Sequence, residues 1–137
     1  MNSELRAAYT QNLNAAKSSY RAGNHDAAFS HLEIAHVLGQ QFFLPHITVH
    51  AWMLRVAAKR QDRREILGQI TRLAATVPGF IAGWVPLGNT GGANVSALKP
   101  MPVPTSLSRL VPKPDIIRQL SFRLGALISV IVISRAF

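Results

Sequence analysis

The stretch Tyr20-Arg-Ala-Gly-Asn-His-Asp-Ala-Ala28 decides the fold, because it ends one helix and begins another. Gly23 suits a helix stop, and Asn24 suits the N-cap of the helix that follows. Residues 4–21 and 25–38, on either side, carry Leu, Ala and aromatic side chains at helical spacing. The sequence therefore predicts that these two ranges form an antiparallel helical hairpin.

A second hairpin is predicted over residues 45–77. Pro45 fits the first turn of a third helix, where its missing N–H costs little. Asp62 and Glu65 have the spacing of a capping box at the start of a fourth helix. Pro78-Gly79 is expected to end that helix. The apolar edge of the fourth helix comprises Ile66, Ile70, Leu73 and Val77.

The two hairpins resemble each other weakly at a shift of 38 residues, which places Ala28 on Ile66 and Leu32 on Ile70. This spacing is near the period of tetratricopeptide repeats, although two units are few for a solenoid. We therefore predict a mainly α fold of four helices in two antiparallel hairpins, weakly tetratricopeptide-like and compact.

The composition changes after the second hairpin, where glycines and prolines argue against regular helix. We predict three segments: a helical-hairpin domain at 1–79, a packed Gly/Pro-rich loop at 80–104 and a C-terminal extension at 105–137. The glycine-rich string from Gly88 to Asn94 lacks the ending of a phosphate-binding loop, so we interpret it as a structural loop folded over the helices.

The C-terminal extension contains an uncharged run from Leu124 to Ser134. This run is too short for a transmembrane span, which needs about 20 apolar residues. We expect the extension to be dispensable for the fold. Self-association through it and peripheral contact with a membrane surface are its two candidate roles.

The chain of 137 residues has no cysteine, which excludes disulfides, thiolate metal sites and cysteine nucleophiles. No secretory signal opens the sequence, so a cytoplasmic location is expected. The formal charge is +9, but no recognised nucleic-acid module accompanies it, so nucleic-acid binding is disfavoured. The clearest basic cluster is Arg55, Lys59, Arg60, Arg63 and Arg64, which would steer an acidic protein partner.

Four metal-competent side chains meet at one end of the predicted helices. Glu33 and His36 are three residues apart near the end of the second helix, about 60° apart around its axis. His46 and His50 are four residues apart at the start of the third helix, about 40° apart. If the chain reverses between these helices, the four side chains converge.

Three imidazoles and a carboxylate suit zinc, iron, nickel or copper, and ligand type alone does not select one divalent metal. The residues between His46 and His50 lack the glutamate that serves as the base in zinc proteases. The leading hypothesis is thus a non-enzymatic metal-binding protein. The alternatives are a tetratricopeptide-like interaction module in which these histidines are structural, and a basic protein that binds nucleic acid or a membrane surface.

Three strings carry a family resemblance: His31-Leu-Glu-Ile-Ala-His-Val-Leu-Gly-Gln40, Phe43-Leu-Pro-His46 and Gly88-Asn-Thr-Gly-Gly-Ala-Asn-Val-Ser-Ala-Leu-Lys-Pro100. Over about residues 1–104 the chain resembles a family of small bacterial proteins defined as a domain of unknown function. The resemblance supplies no activity, and it implies a connection with metal-resistance genes as context only. The sequence beyond about Ser106 looks unlike the family's usual ending.

Overall fold

The computed structural model describes residues 1–83 and 85–112, and helices dominate it. The four helices are α1 (Ser3–Arg21), α2 (His25–Gly39), α3 (Phe43–Arg60) and α4 (Arg63–Ala82). Across these described ranges there is no strand. The predicted mainly α fold of four helices is confirmed.

Short polar side chains start three of the helices. The Asn24 side chain accepts a hydrogen bond of 3.0 Å from the backbone N–H of Ala27, directly after Gly23 takes a positive φ of 78°. The Asp62 carboxylate likewise accepts from the backbone N–H of Glu65 at 3.0 Å. These bonds satisfy N–H groups that a helix leaves free at its start, so the turns fall where the sequence predicts them.

The helices pack in chain order, α1 on α2, α2 on α3 and α3 on α4. The core between them is made of large apolar side chains that are almost fully buried: Leu5, Leu32, Leu38, Val49, Met53 and Val56. α1 and α4 form no substantial contact, so the array is open rather than a closed bundle. The tetratricopeptide-like character stays a prediction, because serial packing is shared by other helical arrays.

α4 runs further than the sequence predicts, so the expected end at Pro78-Gly79 is wrong. Pro78 lies inside the helix, and the helix ends at Gly83, whose positive φ of 71° terminates it. The missing N–H of proline leaves the carbonyl of Ala74 without its helical partner. Ala74 is exposed, so water can bond to that carbonyl. Phe80 also packs on Phe43 of α3, with ring centroids 5.3 Å apart, which holds the last turn.

The predicted apolar edge of α4 is only partly turned inward, because Ile66 and Leu73 are half-buried and the other two members are exposed. Ile70 is 50% exposed and Val77 is 47% exposed. The buried residues of α4 are instead Glu65, Gln69 and Thr76, which are polar. α4 therefore turns a polar face inward, which departs from the usual amphipathic arrangement.

The segment after α4 returns to the helices and packs on them. Leu87 and Val103 lie against the core, and so do Leu107 and Leu110; Val111 is buried. Residues 107–111 therefore add to the core, and the expected dispensability of 105–137 stays a prediction. The bounds of the three predicted segments otherwise stay a prediction, and the apolar run 124–134 lies outside the described residues.

None of the helices in the described ranges combines the length and the apolar character needed to cross a membrane.

Candidate metal centre

Three histidines from two helices converge at the end of the hairpin formed by α2 and α3. His36 lies in the last turn of α2, and His46 and His50 lie in the first two turns of α3. His36 Nε2 is 3.2 Å from His50 Nε2, and His50 Nε2 is 3.0 Å from His46 Nε2. One nitrogen from each ring lies within 4.8 Å of the others, so the three form a group that can hold a metal ion.

The fourth predicted ligand, Glu33, does not belong to this group. It lies one turn before His36 on α2 and is half-buried. Burial raises the pKa of the Glu33 carboxyl, the neighbouring Thr90 hydroxyl opposes this shift, and the Glu65 carboxylate adds to it. The structure thus brings together three of the four predicted residues and places Glu33 beside Glu65 and Thr90.

The hydrogen bonds on the far side of two rings fix their tautomers. His36 Nδ1 is 2.8 Å from the backbone oxygen of Asn89, which only accepts, so Nδ1 carries the proton. His50 Nδ1 is 2.7 Å from Gln69 Oε1 and carries its proton for the same reason. A neutral imidazole has one proton, so both Nε2 atoms present lone pairs toward the centre of the group.

Gln69 is held in the orientation that this assignment requires. Its Nε2 donates to Glu65 Oε1 at 2.6 Å and to the backbone oxygen of Gly91 at 2.9 Å. The Glu65 carboxylate also accepts from the backbone N–H of Ala93, at 2.9 Å from Oε2. The nitrogen of the amide faces two acceptors, so its oxygen must face His50. Glu65 serves this network instead of a capping box, because the backbone N–H of Asp62 donates to the backbone oxygen of Ala57 and not to the Glu65 carboxylate.

The glycine-rich loop is built against the His36 ring. A Cβ atom on Gly91 would lie 2.7 Å from ring carbons of His36, and Gly91 has a positive φ of 84°. The Asn89 side chain donates to the backbone oxygens of Ser96 and Lys99, and its Oδ1 accepts from the N–H of Gly91. The glycine-rich loop thus contacts α2 and α4 and positions a metal-competent side chain.

Burial keeps the three imidazoles neutral. It lowers the pKa of His46 to about 3 and that of His50 to about 4, with the charge of Arg72 acting in the same direction on both. The pKa of His36 lies well below its ordinary value, first because of burial and then because of the two neighbouring histidines. Protons therefore compete weakly for these nitrogens at neutral pH.

The sequence interpretation missed the α4 residues that support the histidines. They are Glu65, Gln69 and Arg72, of which Arg72 donates to the backbone oxygens of Gly92 and Val95 at 2.8 and 2.6 Å. With the buried Thr76, these polar residues recur at helical spacing along one face. That periodicity was visible in the sequence, but an apolar edge beside it gave the stronger signal.

Residues 3–111 match the family described as protein of unknown function DUF3703, so the chain belongs to that family. The resemblance seen over about residues 1–104 is confirmed and extends to residue 111. No curated protein and no solved structure matches the chain.

We expect the metal-free protein to lose stability as the pH falls from 6.5 toward about 4. The unfolded chain protonates its histidines near 6.5, whereas folded His50 resists protonation down to about 4. The unfolded state therefore binds more protons in this window, and the loss is on the order of 3 kcal/mol for His50 alone. Urea unfolding at several pH values, with chelator present, measures it. In a His46→Gln/His50→Gln variant, the free energy of unfolding should depend less steeply on pH. If the free energy of unfolding of the parent does not change over this pH range, the lowered pKa of His50 is contradicted.

We expect Gly91→Ala to destabilise the protein more than Gly23→Ala. Both glycines have positive φ, so both variants carry a backbone strain of about 1 kcal/mol. A Cβ at Gly23 meets nothing within 4 Å, whereas a Cβ at Gly91 displaces the His36 ring. Thermal unfolding of the two variants isolates the contact with His36. Equal losses would show that the ring and the loop do not constrain each other.

Proposed function

We propose that this member of the family binds one divalent transition-metal ion through the Nε2 atoms of His36, His46 and His50. One observation carries the proposal: the Nε2 atoms of His36 and His50 each present a lone pair and lie 3.2 Å apart. Two acceptors at this distance repel each other unless a proton or a cation lies with them. Burial disfavours the proton, since it lowers the pKa of both rings.

The spacing of the nitrogens supports a metal. Two imidazole nitrogens bound to one zinc ion at about 2.0–2.1 Å in tetrahedral geometry are roughly 3.3 Å apart. The observed separations of 3.2 and 3.0 Å are close to this value. A set of neutral nitrogen ligands favours zinc, copper, nickel and iron over magnesium or calcium. Acceptors on the Nδ1 side, as found for His36 and His50, are the usual supports of metal-bound histidines.

We propose a binding role rather than a catalytic one. No carboxylate lines the pocket beside the histidines, within the part of the chain that the structure describes. The two threonine hydroxyls in its lining donate to carbonyls of their own helix, Thr71 to Gly68 and Thr76 to Arg72. The described lining thus offers neither a free acid–base pair nor an activated nucleophile.

We propose a biological setting for this metal binding from the sequence resemblance. The resemblance implies a bacterial protein and a connection with metal-resistance genes, and the expected location is the cytoplasm. A protein that binds a transition metal without catalysing a reaction fits that setting.

Protein purified without a histidine tag should bind about one equivalent of zinc. His50→Ala removes one of the three ligands and should weaken zinc binding at least 100-fold. Gln69→Ala removes the acceptor that orients His50 and should weaken zinc binding 10- to 100-fold. Competition with a chromophoric chelator measures both affinities. His31→Ala is the control, because His31 lies on α2 outside the group. If His46→Ala and His50→Ala bind zinc as the parent does, the proposal is wrong.

The same titration tests Glu33 as a fourth ligand. A Glu33→Gln variant that binds zinc like the parent assigns the site to the three histidines alone. A tenfold or larger loss restores the carboxylate to the ligand set, which would require α2 and the glycine-rich loop to rearrange around the ion.

A second candidate function is a protein-interaction module, and the exposed face of α4 favours it. Leu67 and Ile81 are 65% and 48% exposed, and together with Ile70 and Val77 they follow the spacing of a coiled-coil seam. An apolar stripe of this kind fits an amphipathic helix of a partner. We refer to Leu67, Ile70, Val77 and Ile81 as the α4 stripe.

The predicted basic cluster is exposed throughout, and two of its members, Arg63 and Arg64, lie on α4 itself. Arg63 and Arg64 open α4, so an acidic end on the partner helix would meet them. Arg60 already contacts Asp26, with its Nε 3.4 Å from the carboxylate, and Arg55 lies over the Trp52 ring. The remaining exposed charges would steer an acidic partner rather than provide most of the affinity.

If the α4 stripe binds a partner, Leu67→Lys/Ile81→Lys should abolish capture of that partner by affinity purification, because two charges would enter an apolar interface. Leu44→Lys is the control, since Leu44 is 70% exposed on α3 and lies outside the stripe. His50→Ala should capture the partner normally. Equal capture by the stripe variant and the parent would contradict this function, and recovery of salt-released nucleic acid alone would favour nucleic-acid binding.

A further inference from the structure

A pocket of about 490 Å³ opens beside the three histidines, which form part of its lining. Its walls are mostly apolar, with Ala75, Pro78 and Phe80 from α4 and Val85, Pro86 and Leu98 from the following segment. The histidines are at most 9% exposed, whereas Ala75 and Leu98 are exposed. The histidines therefore lie at the inner end of the pocket. The volume falls within the range of sites for small organic molecules.

The described lining of the pocket contains one charged side chain, that of Arg72, and no carboxylate. The other polar side chains of the lining, including Gln40 and Asn89, are neutral. The nearby Glu65 carboxylate lies outside this lining; it accepts from the N–H of Ala93 and from Gln69, and its negative charge offsets that of Arg72. A divalent ion held by neutral imidazoles would add two charges that no described lining residue offsets.

A metal ion on three protein ligands keeps at least one position for an outside ligand. Three neutral imidazoles leave the two charges of the ion unbalanced within its ligand set, so an anion is the favoured occupant of that position in a site of low dielectric. The apolar walls extend from this position toward the mouth of the pocket, so they would contact a hydrocarbon group attached to the anion. Inorganic anions would leave those walls in contact with water.

We propose that the pocket binds a small organic acid, with its carboxylate at the ion held by the three histidines and near Arg72, and its short hydrocarbon chain against the walls formed by Ala75, Phe80 and Leu98. This inference rests on the proposed metal site and names the class of ligand that the site takes.

The full-length protein loaded with cobalt(II) tests the inference, because the visible spectrum of cobalt reports a change of ligand. Butyrate should shift the spectrum in a saturable manner and bind about 15-fold more tightly than acetate, since two methylene groups are buried in addition. Butyramide, which has the same shape without the charge, should bind at least tenfold more weakly than butyrate. Equal affinities for the three compounds, or no spectral change, would overturn the inference.

Two pairs of variants locate the ligand. Ala75→Phe should fill the pocket and lower the affinity for butyrate at least tenfold, while the stoichiometry of bound cobalt stays unchanged. Ala74→Phe should not, because Ala74 is also exposed on α4 but does not line the pocket. The affinity for butyrate should be about tenfold lower in Arg72→Gln than in Arg72→Lys, which keeps the positive charge. Parental affinity in both Ala75→Phe and Arg72→Gln would place the anion elsewhere and overturn the inference.

The stoichiometry of bound cobalt distinguishes failure of the proposed metal site from failure of the proposed organic-acid ligand. Failure to bind cobalt refutes the proposed metal site and this inference with it. Binding of one cobalt ion without any response to butyrate leaves the metal site supported and refutes the organic-acid ligand alone.

Discussion

The buried N–H groups of His36 and His50 set the constraint on which the rest of the structure depends. An N–H removed from water without a partner costs roughly 1–3 kcal/mol, so each ring needs an acceptor in the interior. Asn89 and Gln69 provide these acceptors at 2.8 and 2.7 Å. Neither lies in the hairpin that carries the histidines. The three-histidine group can therefore exist only if α4 and the glycine-rich loop close over it.

This constraint explains the inverted face of α4. Gln69 must reach His50, and Glu65 must hold both Gln69 and the loop, so their side of the helix faces inward. The apolar side then remains on the surface, where Leu67 is 65% exposed. Burying that side instead would gain hydrophobic free energy, about 25 cal/mol per Å². α4 forgoes this gain in order to support the imidazoles.

The sequence predicts local structure well here, because the signals of Asn24 and Asp62 act within one turn of their own helix. It also predicts that His36, His46 and His50 converge, since one helix spacing and one chain reversal suffice. Glu33 could not be placed in the same way. Its neighbours Thr90 and Glu65 come from the loop and from α4, and their positions depend on long-range packing. The inward face of α4 is likewise decided by partners far along the chain.

A purely structural role for the histidines would have to account for their inner nitrogens. The hydrogen bonds that the Nδ1 atoms make to Asn89 and Gln69 would hold the loop and α4 equally well if each helix carried a single buried imidazole. The structure instead turns the lone pairs of His36 and His50 toward each other at 3.2 Å and places His46 3.0 Å from His50. His46 Nε2 can donate to His50, but then His36 Nε2 lacks a donor within the three-histidine group. A cation shared by the three rings would remove the repulsion between the Nε2 lone pairs of His36 and His50, so metal binding accounts for the arrangement.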